Sequence, residues 1–190
     1  GGQPYYSLVG LPDRAISESK DRIEAAIQSA GGHVPRSRIT VNLAPADLPK
    51  EGSAFDLPIA IGLLAGSGQL RNNRLPKTVA LGELALDGSL RPVKGVLPIA
   101  VEAARKGFTH LILPEQNARE AAVVEELQVL GCTHLKEVKK WLNGADELEP
   151  VQVDVSSFFE ETDGVQAVDF CDVKGQENVK RAMEVAAAGG

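Results

Sequence analysis

From Val96 to Leu142 the chain alternates helix and strand signals, and that order points to a layered domain in which helices cover a sheet. Val96–Lys106 reads as helix, His110–Leu113 as strand, Glu115–Glu126 as helix and Leu127–Leu130 as strand. His134–Leu142 follows as an amphipathic helix closed by Asn143-Gly144. Upstream, Asp87-Gly88 sits between two apolar runs, Val79–Leu86 and Leu90–Val93, which is a hairpin signature. Tyr5–Val9 reads as a strand ended by Gly10-Leu11-Pro12. Asp13 then caps a helix over Arg14–Gln28, and Gly31-Gly32 stops it. Arg38–Leu43 alternates as a strand, and after the loop Ala44–Gly52 an apolar helix covers Asp56–Ala65. The expected fold class is therefore α/β, of the α+β layered kind, with a mixed sheet covered by helices. Hydrophobic residues make up 43% of the chain and aromatics only 4%, so the core has to be built from Val, Ile, Leu and Ala.

Charge divides the chain. Residues 145–190 hold eleven acids and three bases, a balance of −8, so the remaining +2 of the net −6 belongs to residues 1–144. From Ala145 to Asp172 there are nine acids and no base, the composition of a solvated connector. Val151–Val155 alternates within it as a strand would. Part of the connector is expected to pack on the body, because Val151, Val153, Val155, Phe158 and Phe159 would otherwise be exposed. Lys174–Ala188 resumes as a helix. The expected organisation is a body over 1–144, an acidic linker over 145–171 and the opening of a second domain, cut off, over 172–190. No apolar run reaches the length of a bilayer span, no signal segment opens the chain, and Cys132 and Cys171 lack CxxC partners. A cytoplasmic, reducing location is expected.

The chemical candidates are few. His33, His110, His134, Cys132 and Cys171 form no ligand-spaced pair on one element, so no metal site is expected; Cys132 reads as a buried thiol and His134 as a helix cap. Gly66-Ser67-Gly68 lacks the GxxxxGK[ST] of a phosphate loop and reads as a helix stop. Ser53 lies in a Gly-Ser loop before a helix, where a nucleophile could stand if a base came within reach. The plainer expectation is that Ser53 and Asp56 cap that helix.

Two long stretches carry a more specific signal. Pro49-Lys50-Glu51-Gly52 followed by Phe55-Asp56-Leu57-Pro58-Ile59-Ala60, and the run from Gly82-Glu83-Leu84 to Arg91-Pro92-Val93-Lys94-Gly95-Val96-Leu97, resemble the two active-site segments of Lon-type Ser/Lys protease domains. The resemblance implies the Lon-protease-like (ribosomal protein S5 domain 2-like) fold. It places Asp56 where the family has its serine and Leu97 where it has its lysine. Counting rigidly from Pro49 instead puts Ala54 at the serine position. A leucine cannot accept a proton, and a carboxylate is not a comparable nucleophile, so a protease fold without the protease is expected.

The body also resembles the ComM/YifB family of Mg-chelatase-like AAA+ ATPases, through Val9-Gly10-Leu11-Pro12-Asp13, Arg38–Asp47, Lys50-Glu51-Gly52 and Arg91–Pro98. The tail from Asp172-Val173-Lys174-Gly175-Gln176 is similar to the opening of that family's ATPase module. This resemblance implies a non-catalytic N-terminal domain of a hexameric DNA motor that acts in branch migration during natural transformation and recombination. It implies ATP and Mg²⁺ as cofactors of the parent protein and none in this stretch, with Val173, Gly175 and Gln176 near the adenine. The implied partners are the ATPase module of the same chain, DNA, and further copies in a homo-hexamer, with no membrane. Arg36, Arg38, Lys50, Arg91 and Lys94 are the candidate phosphate contacts. Three other readings stay open: a chelatase-type ATPase, a Lon-like peptidase domain, and an oligomerisation module only.

Overall fold

The computed structural model describes residues 5–71 and 74–153. Strand β1 (Tyr5–Val9) runs parallel to β2 (Arg38–Asn42), with Tyr5 opposite Arg38 and Val9 opposite Asn42. Between them lie helices α1 (Arg14–Ser17) and α2 (Ser19–Ser29). The single helix expected over Arg14–Gln28 is thus broken at Glu18. Ser17 Oγ donates to the Asp13 carbonyl (2.7 Å), a bond from hydroxyl back to main chain that bends helices at such positions.

Asp13 caps α1 as its position suggests. One carboxylate oxygen accepts from the Ile16 N–H (2.8 Å) and the other from the Gly52 N–H (2.8 Å), so the same side chain starts the helix and holds the loop that enters helix α3 (Asp56–Gly66). These backbone donors pull the Asp13 carboxyl below its ordinary range. A lowered folded value means the stabilisation is complete above the unfolded value, near 4, and is lost as the pH falls through the folded one. Asp13→Ala should cost about 1–2 kcal/mol at neutral pH, with wild type and variant converging in strong acid; urea midpoints at pH 7 and pH 2.5 check this.

A second, parallel sheet has the order β3 (Thr78–Ala80), β6 (His110–Pro114), β7 (Gln128–Cys132). Helices α4 (Val96–Arg105), α5 (Glu115–Ala121) and α6 (Leu135–Leu142) complete the described fold. This sheet is apolar on both faces. Ile112, Leu130 and Cys132 join one core cluster with α2, α3 and α6, while Leu111, Leu113 and Val129 join another with α4 and α5. Burial on both sides explains why β6 is apolar from Leu111 onward rather than alternating. The α/β expectation therefore holds, but among the described residues the parallel and antiparallel pairings lie in separate sheets rather than in one mixed sheet.

The hairpin is shorter than expected. Val79–Leu86 is not one strand: β3 ends at Ala80, the Leu81 N–H still donates to the Ile112 carbonyl (3.0 Å), and Gly82 is tied instead to the segment that enters α3. Its N–H donates to the Ala54 carbonyl (3.0 Å) and its carbonyl accepts from the Leu57 N–H (3.0 Å). The hairpin proper is β4 (Glu83–Leu84) against β5 (Leu90–Arg91), closed over Asp87-Gly88. The helix expected over Glu115–Glu126 ends at Ala121, where the Val124 N–H closes a turn on the Ala121 carbonyl (3.1 Å). Packing continues through Val153. The Val151 N–H donates to the Val129 carbonyl on β7 (2.8 Å), and Val151 and Val153 pack against the second cluster. The expectations for Val155, Phe158, Phe159 and the helix over Lys174–Ala188 lie outside the described residues.

Candidate functional site

The start of α3 is where the sequence placed a degenerate nucleophile, and the structure fills that place with an ion pair. Asp56 is 1% exposed. It does not cap α3, whose capping position is Phe55 with no side-chain bond. Its carboxylate turns inward to the Arg22 guanidinium, which donates from Nε to Oδ2 (3.0 Å) and from Nη2 to Oδ1 (3.1 Å). Arg22 Nη2 also donates to the Ala15 carbonyl (3.0 Å), and the Leu84 N–H donates to Asp56 Oδ2 (3.2 Å). One carboxylate thus ties α2, α3 and β4 together. Burial pushes the Asp56 carboxyl above the usual range, against the pull of Arg22 and the Leu84 amide. Burial and then the Asp56 charge also raise the Tyr6 phenol, and Tyr6 Oη is a buried oxygen without a partner among the described residues.

Ser53 begins a short 3-10 turn, Ser53–Phe55, and does not cap α3 either. Its hydroxyl donates to the Glu83 carboxylate, and Glu83 in turn faces Arg91 across the hairpin (3.9 Å). A serine bound to a carboxylate has a proton acceptor, but no described lysine or histidine is bonded to it. Leu97 sits on α4, 37% exposed, with its N–H toward Glu120 Oε1 (3.4 Å). Side chains at the two positions therefore offer a salt-bridged carboxylate and a hydrocarbon. The partner Arg22 is what sequence reasoning missed, because it is distant along the chain and reads locally as an ordinary surface charge, while Glu83 stood within a quoted segment without its bond to Ser53 being foreseen.

The candidate phosphate contacts separate. Arg36 and Arg38 are exposed where the chain enters β2, and Arg91 and Lys94 are exposed at and after β5. Lys50 corrects the expectation: it is 8% exposed, its ammonium is bonded to the Pro45 carbonyl, and its main chain is bridged to Leu11 and Asp13. An ammonium spent on a loop carbonyl is withdrawn from any phosphate. Val173, Gly175 and Gln176 lie outside the described residues.

Cys132 is fully buried, and burial pushes its thiol up to about 12, so it carries no thiolate at neutral pH. His134 caps α6: Nδ1 accepts from the Lys136 N–H (3.0 Å) while Nε2 donates to the Asp87 carbonyl (2.8 Å). Both ring nitrogens are thus used in holding the hairpin to α6. Among the described residues no group of three His, Cys, Asp or Glu could hold a metal ion, and no helix is long and apolar enough to cross a membrane.

Comparison with known proteins adds the wider context. The family described as subunit ChlI of Mg-chelatase matches residues 1–117. The chain is 45% identical over 188 residues to the competence protein ComM of Haemophilus influenzae, covering 99% of this chain and 37% of that protein. It is 42% identical over 192 residues to the uncharacterised protein YifB of Escherichia coli, covering 100% of this chain and 36% of that protein. A shorter match, 36% over 73 residues, links 38% of the chain to 8% of Lon protease 2 of Hydrogenovibrio crunogenus. The chain spans little more than a third of the length of the ComM and YifB relatives.

Proposed function

Since the chain belongs to the ComM/YifB family of Mg-chelatase-like proteins, we propose that it is a non-catalytic domain at the N-terminal side of a competence-related AAA+ ATPase that moves DNA branches as a homo-hexamer in the cytoplasm. In this reading the domain has a Lon-like architecture whose catalytic role has been replaced by a structural one. What supports it is the Asp56–Arg22 pair: at the position where the resemblance puts the nucleophile, a carboxylate only 1% exposed is bonded to a guanidinium that is 28% exposed. Such a pair is costly to leave half-made, so it holds three elements together and puts a salt-bridged carboxylate where the family has its serine. ATP and Mg²⁺ would be handled by the module that Val173, Gly175 and Gln176 open. The domain's own work would be to guide DNA with exposed cations, Arg36 and Arg38 at β2 and Arg91 and Lys94 at the hairpin.

Fluorescence anisotropy with a labelled forked DNA tests this reading. Binding should weaken steeply with salt, since each phosphate contact releases counterions. Arg36→Ala with Arg91→Ala and Lys94→Ala should reduce the slope of log affinity against log salt by about 2–3. A domain that binds no forked DNA at low salt would contradict the guiding role.

A further inference from the structure

Helix α3 is apolar around its whole circumference: after Asp56 it reads Leu57-Pro58-Ile59-Ala60-Ile61-Gly62-Leu63-Leu64-Ala65-Gly66, without a charge. A helix of that kind belongs in an interior, covered on every side. Leu57, Ile59, Ala60, Ile61 and Leu64 are buried as expected, yet Gly62 and Gly66, one turn apart, are exposed, and Leu63 is only half-covered. These residues floor a groove of about 550 Å³.

The other wall of the groove is β2, lined from Ser37 to Leu43. In the parallel ladder the Leu43 N–H donates to the Val9 carbonyl, and the alternation of the ladder turns the N–H and C=O of Thr40 and Asn42 to the opposite edge. Among the described residues no strand pairs with that edge. An open ladder beside an uncovered apolar helix face is the template that an added strand completes, through main-chain bonds for affinity and alternate side chains for selectivity. The glycines set the clearance. A Cβ at Gly62 or Gly66 would meet nothing within 4 Å, so no described neighbour requires glycine at either place, and a strand could lie close over the helix backbone.

Charge indicates what kind of strand. The groove adjoins a smaller pocket of about 310 Å³ at the start of β2, both being lined by Pro35, Ser37, Ile39 and Leu63. At that end stand the cations Lys20 and Arg36 against the single carboxylate of Glu24.

We propose that the β2 edge and the exposed face of α3 form a docking groove for one extended segment of a protein partner, alternately apolar and ending in acidic residues that meet Lys20 and Arg36. An antiparallel strand of about five to seven residues would span the groove with its C-terminal end at Arg36.

The probe is a fluorescein-labelled Val-Thr-Val-Thr-Val-Glu-Glu peptide, titrated with the whole chain and compared with a Lys-Lys version. Saturable binding is expected, favouring the acidic peptide and weakened by Arg36→Ala. Gly62→Leu with Gly66→Ala fills the groove without touching the core. It should weaken the peptide at least about tenfold while leaving the melting temperature of the free chain no lower, and that temperature separates a blocked groove from a damaged fold. The proposal is overturned if the peptide shows no saturation by about 1 mM, or if the glycine variant binds it equally well. It is overturned too if light scattering shows a dimer that the same variant abolishes, since a second copy is then the occupant.

Discussion

Replacing Arg22 by methionine is expected to lower the stability of the domain by about 3–5 kcal/mol, because the change leaves the Asp56 carboxylate buried and alone. Asp56 cannot relax into water from a site where it is 1% exposed. It would keep only the Leu84 N–H, at 3.2 Å, in place of two guanidinium bonds and that amide. For a domain of this size the loss corresponds to a fall in melting temperature of about 10 °C or more. Arg22→Met combined with Asp56→Leu removes both charges and should recover most of the loss relative to either single variant, since an ion pair taken out of water is rarely worth more than apolar packing of the same volume. A double-mutant cycle by urea unfolding measures the difference. If Arg22→Met alone were neutral, the pair would not be holding α2, α3 and β4 together.

Gly10→Ala should be the other large effect, at about 3 kcal/mol or more. Gly10 has φ near +108°, a conformation that residues with a Cβ rarely adopt. A Cβ there would also lie 2.0 Å from the Leu43 carbonyl oxygen, and that oxygen belongs to the main chain at the end of β2. Relief therefore requires moving one strand of the β1–β2 pair, where the Leu43 N–H is bonded to Val9. Gly31→Ala is the control. Gly31 also has a positive φ, +67°, but a Cβ there meets nothing within 4 Å, so only the dihedral cost of about 1 kcal/mol remains. Comparable losses at the two sites, read from thermal unfolding, would mean that the contact with Leu43 does not matter.

Much of this fold could be read from local signals. Arg38–Asn42 announces itself by alternation, Tyr5–Val9 by the Gly10-Leu11-Pro12 stop that follows it, Asp13 by its capping position, and His134–Leu142 by its amphipathic period. What failed locally was decided at a distance. The run Val79–Leu86 has strand composition throughout, yet its pairing is cut by the bonds of Gly82 to Ala54 and Leu57. Lys50 looks like a loop cation because nothing in its neighbours foretells that Leu11 and Asp13 will bracket its main chain. The site was legible in one half only. Sequence marked Asp56 as a residue of the wrong chemistry for its position, but Arg22, 34 residues earlier, looked like one more charge on an amphipathic helix. The residues that give Asp56 its role arrive through the packing of α2 on α3, which no local pattern records.

The role proposed for this domain is to serve DNA movement without catalysing peptide cleavage. It is tested most directly in the full-length protein by following ATP-driven branch migration on a synthetic junction, with ATPase rate and fluorogenic peptide turnover measured in the same samples. Arg36→Ala, Arg91→Ala and Lys94→Ala together should slow branch migration at least about tenfold, with basal ATP hydrolysis unchanged. Peptide turnover should stay at background and be indifferent to Ser53→Ala. Undiminished branch migration in the triple variant, or peptide cleavage abolished by Ser53→Ala, would contradict this role.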